Sequence, residues 1–172
     1  SAGTEVMALC FGTNSLCSPS AYVTNSKMGM ASPDGRCKTF DALANGYVRS
    51  EGCGALLVKR AGAKGREVSR VRGHAVNQDG RSNGLTAPNG PSQVRLLREA
   101  LAQAGLKGRE VSSLEAHGTG TALGDPIEVQ AVAEAMGGSR RGGSEALVMG
   151  SAKTNFGHAE TAAGVLGVLK AV

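Results

Sequence analysis

The chain has 172 residues, 41% of them hydrophobic and 19% charged, which is enough for one domain with a core and outside the range of disordered compositions. No apolar run reaches the ~18 residues of a membrane helix, and no basic stretch followed by an apolar one opens the chain in the manner of a signal peptide. The net charge of +5 suits an acidic partner, whereas aromatics at 3% and scattered basic residues speak against a base-stacking nucleic-acid surface.

Four cysteines, Cys10, Cys17, Cys37 and Cys53, are too few for a disulfide scaffold and lack the CxxC spacing that holds zinc. A reducing cytosol and no metal are expected. Glycine, at 26 of 172 residues, is about twice as frequent as the ~7% typical of globular chains, so the fold must turn tightly and often.

In chain order, Val6 to Phe11 reads as a strand after Glu5, Asn14 to Ser20 as a loop, and Ala21 to Met30 as a short helix closed by the turn Ser32-Pro33-Asp34-Gly35. Gly52-Cys53-Gly54 leads into Ala55 to Val58, an apolar run fit for a buried strand. Arg60 to Arg66 reads as a solvated connection, and Val68 to Val76 alternates as a strand would before a turn-rich stretch from Asn77 to Gly90.

The next helix is the best marked. Pro91 sits in its first turn, Val94, Leu97, Leu101 and Ala104 form an apolar stripe, and Gly105 follows as its stop. Val111 to Ala116 predicts a strand, and Asp125-Pro126-Ile127-Glu128 opens a helix with an Asp cap and a Glu three residues later, running to Met136 before Gly137-Gly138. Ala146 to Met149 predicts one more strand. Ala159 to Val172 predicts a helix buried on most sides.

Strand and helix alternate, which argues for an α/β fold. Ser1 is not an initiator Met, and the last helix stops at Val172 without a Gly, Asn or Pro, so a longer parent is expected.

The strongest local signal is Glu115-Ala116-His117-Gly118-Thr119-Gly120-Thr121, a histidine at a predicted strand end followed by alternating Gly and Thr. Ligands in open α/β sheets bind beyond the carboxyl ends of strands. The glycines allow close backbone approach, and the hydroxyls of Thr119 and Thr121 offer hydrogen bonds. A second signal, Ser151-Ala152-Lys153-Thr154-Asn155-Phe156-Gly157-His158, again follows a strand and enters a helix. If the two strands are parallel neighbours, both loops leave one edge and His117, Lys153 and His158 share one pocket.

Alone, each of these has a plain structural reading: a satisfied histidine, a solvated lysine, and His74 as an ordinary strand residue. A rival chemistry uses Gly118, Gly120 and Gly124 as GxGxxxG, close to a dinucleotide-binding turn. Leu123 stands where that motif wants its third glycine, and no acidic residue ends the strand at Met149-Gly150.

These residues resemble the β-ketoacyl synthases, and most closely the ketosynthase domains of modular type I polyketide synthases. The likeness rests on Glu115 to Thr121 (EAHGTGT), Gly124 to Glu128 (GDPIE) and Gly150 to His158 (GSAKTNFGH) in their usual order. Val76 to Gln93, Pro33 to Cys37 and Tyr47 to Gly54 extend it. Thr161 stands where the family more often has alanine, His74 where it often has a small residue, and the Arg60 to Arg66 connection is shorter than usual.

The resemblance implies a thiolase-like layered αβαβα fold of which this chain is the middle to C-terminal part. Residues 1–60 would end the N-terminal half and residues 61–172 would supply most of the C-terminal half. It implies decarboxylative Claisen condensation of an acyl thioester with a malonyl-type extender, in polyketide or fatty acid synthesis. A non-condensing carrier-binding relative is the alternative. The nucleophilic cysteine of the family would lie upstream, leaving the four cysteines here structural and the isolated chain inactive and poorly folded.

By the same resemblance His117 and His158, both unprotonated, hydrogen-bond the developing thioester oxyanion. Lys153 supports them, with Glu160 as its ion-pair partner and Asn155 as a further supporting residue, while Thr119 and Thr121 hold the phosphopantetheine arm. No cofactor is bound directly. The implied partners are an acyl carrier protein, a second copy in a homodimer and neighbouring synthase domains, in the cytoplasm.

Overall fold

A computed structural model describes residues 7–80, 84, 87–137 and 146–172. Glu5, Val6, Gly138 and part of the turn-rich stretch after Gly80 lie outside the described residues. Strand β1 (Met7–Asn14) pairs antiparallel with β2 (Gly52–Lys59), with Met7 opposite Lys59 and Asn14 opposite Gly52. Strand β3 (Ser113–Glu115) pairs parallel with β4 (Val148–Gly150). The helices are α1 (Ser20–Lys27), α2 (Gly90–Ala104), α3 (Gly124–Ala135), the single turn α4 (Lys153–Phe156) and α5 (Ala163–Ala171).

Glycines explain how α5 reaches the first sheet. Gly12, Gly52 and Gly54 lie on one face of the β1–β2 ladder, and a Cβ on Gly54 would stand 2.8 Å from Val165 and one on Gly52 2.9 Å from Leu166. A bare backbone floor therefore lets the helix lie close. The opposite face carries Leu9, Phe11 and Leu57, each about two-thirds exposed at 66%, 69% and 67%.

Helix α2 is built as its sequence dictates. Asn89 accepts the Ser92 N–H at 3.0 Å, Pro91 fills the first turn, and Gly105 at φ +66° ends the helix with its N–H on Ala102 O. Its stripe packs on α3, where Val94, Ala131 and Val132 are buried.

Three expectations are corrected. Residues 68–76 form no strand: Val68, Val71 and Val76 are exposed at 69%, 76% and 86%, and among the described residues the segment has no strand bonded beside it, meeting α2 through Gly73 and through the His74 N–H on Gln103 Oε1 at 3.4 Å. The final helix begins at Ala163 after a 3₁₀ turn, and it is covered only on its inner face, with Val168, Leu169 and Val172 left 46%, 44% and 55% exposed. Asp125 does not cap α3, whose flanking residue is Leu123; its carboxylate turns to other amides instead.

Candidate active site

Both signal loops leave the same edge. The β3–β4 ladder continues one step past the strands, with Ala116 N–H donating to Gly150 O at 2.8 Å, so His117 and Ser151 emerge side by side.

Two carboxylates at the start of α3 shape the first loop. Glu128 accepts the N–H groups of His117 and Gly118 at 2.7 and 2.8 Å. Asp125, buried, accepts those of Gly120 and Thr121 at 3.1 and 3.3 Å, and with its other oxygen that of Phe40 at 2.8 Å. A carboxylate on several amides is a strong, directional anchor. The N–H groups of His117, Gly118, Gly120 and Thr121 are thereby held by these two side chains.

The second loop is set from three sides. Glu115 accepts the Ala152 N–H at 2.5 Å at the start of α4 and pairs with Lys170 at 2.8 Å. Gly157, at φ +83°, turns the chain where a Cβ would press within 3.1 Å of Val48 and Ser50. His158 is then pinned to the segment before β2, its N–H on Val48 O at 2.7 Å and its C=O accepting the Ser50 N–H at 3.0 Å.

The result brings His117, Lys153 and His158 onto one cavity of about 650 Å³. The imidazole centroids are 5.5 Å apart with planes at 84°, and the Tyr47 ring lies 5.3 Å from His158. Nδ1 of His158 accepts the Glu160 N–H at 2.9 Å, so that nitrogen carries no proton and Nε2 is the N–H donor of the neutral ring.

Electrostatics keep both rings uncharged at pH 7. Burial, then the Lys153 ammonium, then His117 bring the pKa of His158 down to about 4, against the opposing charge of Glu160. His117 opens on the cavity, yet the protein around its ring and the Lys153 charge lower its pKa too. Lys153, only 7% exposed, is itself lowered by burial, with the Glu128 and Glu115 carboxylates opposing.

A pH prediction follows from the sign. His158 titrates near 4 when folded and at 6.5 when free, so the unfolded chain binds its proton first, and stability is whole above 6.5 and lost as pH falls toward 4. The intact protein is expected to lose roughly 2–3 kcal/mol across that window through this group, read as a falling urea midpoint that His158→Ala flattens.

Other expected residues fall elsewhere. Glu160 does not pair with Lys153: both its oxygens meet Arg49, Nε at 2.6 Å and Nη2 at 2.7 Å, because the guanidinium offers a two-donor fork that an ammonium lacks. Asn155 is exposed on α4 and does not line the cavity. Neither do Thr119 and Thr121, whose hydroxyls lie 3.3 Å apart, with Thr121 Oγ1 accepting the Gly124 N–H at 3.1 Å. Cys37 is buried, and burial pushes its thiol up, away from a thiolate nucleophile. Asp125 and Glu128 were legible only as helix-start acids, and Arg49 carried no local signal at all.

The fold, with two histidines at a parallel-strand edge, is part of a thiolase-like architecture. The sequence matches the family description "Beta-ketoacyl synthase, N-terminal domain" over residues 1–63 and "Beta-ketoacyl synthase, C-terminal domain" over residues 68–172. The chain belongs to the β-ketoacyl synthase family.

The spectinabilin polyketide synthase system protein NorA' of Streptomyces orinoci is 53% identical over 175 residues, covering 99% of this chain and 5% of that protein. Pikromycin polyketide synthase component PikAII of Streptomyces venezuelae is likewise 53% identical, over 96% of this chain and 4% of its own length. Among solved structures, the oxazolomycin ketosynthase domain OzmH KS7 of Streptomyces albus superimposes with a TM-score of 0.91 at 41% identity, over 96% of this chain and 30% of that one. A ketosynthase from module 6 of the bacillaene synthase of Bacillus subtilis gives 0.89 at 40%, again with 30% of its chain covered. The chain thus spans under a third of these solved ketosynthase chains. No helix of the described residues is long and apolar enough to cross a membrane.

Proposed function

We propose that this chain supplies the oxyanion-binding side of a polyketide ketosynthase active site. In that reaction an acyl group waits as a thioester on a cysteine outside these residues. The malonyl-type extender loses carbon dioxide; its α-carbon, now an enolate, bonds to the acyl carbon, and the acyl C–S bond breaks to free the cysteine. Negative charge gathers on the extender's thioester oxygen during decarboxylation, and two neutral N–H donors aimed there lower the barrier.

The carrying observation is the pair of neutral imidazoles, 5.5 Å apart, on one cavity with the buried Lys153. Lys153 adds positive potential that favours the oxyanion and keeps both rings unprotonated. A carrier-binding domain without chemistry has no need of that trio. The phosphopantetheine arm would enter past the HGTGT loop, where Thr121 and Thr119, outside the cavity and now paired with each other, would turn their hydroxyls to bond it. An acyl carrier protein, commonly acidic, agrees with the +5 charge. A homodimer, adjoining synthase domains and a cytoplasmic setting complete the reading.

Carbon dioxide release from a malonyl thioester tests it. The intact parent should decarboxylate and condense, while the isolated 172-residue chain should do neither. A parent with no cysteine in a tight turn upstream and no decarboxylase activity would overturn the assignment.

A further inference from the structure

Arg49 lies between the two residues that pin His158, and its side chain runs on to Glu160. The Arg49 side chain is 10% exposed, and its guanidinium makes both prongs of the bidentate pair and sits 4.9 Å from the centre of the Tyr22 ring. A fork taken out of water and stacked on an aromatic face sets orientation as well as distance.

What it holds is unusual. Glu160 has φ +40°, a left-handed conformation that residues with a side chain rarely adopt, and no glycine is there to ease it. It is in this turn that the Glu160 N–H meets Nδ1 of His158 at 2.9 Å. The geometry points to Arg49 and Glu160 as positioning residues for His158: their pair keeps Glu160 in the left-handed turn whose backbone N–H locks the imidazole as the Nε2–H donor facing the cavity. This deepens the function proposed above and rests on the role given there to His158.

The groups facing His158 are Lys153 from α4, His117 from the loop after β3, the Glu160 carboxylate, the Tyr47 ring and, near its backbone, the Cys37 thiol. Arg49 acts on it through Glu160. Releasing the turn frees Nδ1 to take a proton, so the ring charges at higher pH.

Two substitutions separate backbone positioning from charge. Glu160→Ala and Glu160→Gly both remove the carboxylate and leave Arg49 equally unpaired, but only glycine adopts φ +40° without strain. In the intact parent, Glu160→Gly is expected to keep kcat for malonyl-thioester decarboxylation roughly tenfold above Glu160→Ala. The acid limb of the Glu160→Ala profile should stand about one pH unit above that of Glu160→Gly. Arg49→Lys, which keeps the charge and loses the fork, should follow Glu160→Ala even where it melts at the parental temperature.

A readout independent of turnover is carbethoxylation by diethylpyrocarbonate, followed peptide by peptide with mass spectrometry. The reagent needs a free imidazole lone pair, so His158 should react slowly in the parent and several-fold faster in Glu160→Ala, with exposed His74 as internal reference. Equal kinetics in the two Glu160 variants together with unchanged His158 labelling would overturn the clamp. Altered labelling with unchanged turnover would uphold it and remove His158 from catalysis instead.

Discussion

Replacing His117 or His158 with alanine in the intact parent is expected to lower malonyl-thioester decarboxylation by on the order of a hundredfold or more, about 3 kcal/mol for each donor removed. The reason is geometric. Nε2–H of His158 is already committed as a donor by the Glu160 N–H on Nδ1, and the cavity holds it beside His117, where burial first, then the Lys153 charge and His117, bring its pKa down to about 4. A donor fixed before the reaction needs no reorganisation when the charge forms.

The double substitution is expected to cost less than the product of the two, because the pair acts on one oxygen and the second loss finds little left to remove. Release of labelled carbon dioxide under saturating substrate is the measurement. KM should move less than kcat, since the extender's neutral ground state draws little on these donors. Single variants with parental turnover would sink the oxyanion role for this pair.

Gly120→Ala is expected to cost at least about 3 kcal/mol of stability and to abolish activity with it. Its φ is +76°, and an added Cβ would stand 2.7 Å from Lys38 N and 3.1 Å from Lys38 C. The Lys38 segment cannot step back easily: Phe40 N–H is held by Asp125, Thr39 Oγ1 donates to Gly118 O at 2.6 Å, and Gly46 N–H donates to Gly120 O at 2.9 Å.

Gly29→Ala provides the comparison, at φ +68° with nothing within 4 Å of the added methyl. It carries the left-handed strain alone, on the order of 1–2 kcal/mol. Chemical denaturation of the intact domain separates the two. Equal losses would mean that the close approach under the HGTGT loop contributes nothing.

Several elements were legible because their causes are local. Helix α2 ends where Pro91 and Gly105 say it should, since a missing N–H and a left-handed stop act within one turn. The meeting of His117 with Lys153 and His158 was legible on one condition, that the two strands be parallel neighbours; β3 and β4 are, and parallel strands deliver both following loops to one edge. Where an expectation failed, the missing cause was a partner elsewhere. Residues 68–76 alternate as a strand does but join no ladder among the described residues, and Asp125 looks like a helix cap until Phe40 and the Gly120 amide come within reach.

By itself, then, the order of residues carried the family likeness through its two histidine motifs, and the alternating architecture through short-range rules of period, turn and cap. Only the tertiary structure decided the protonation site of His158 and the partner of Glu160. Arg49 lies 111 residues away along the chain, and which of several cations meets a carboxylate is settled by the distance and fork geometry that folding creates, not by proximity in sequence.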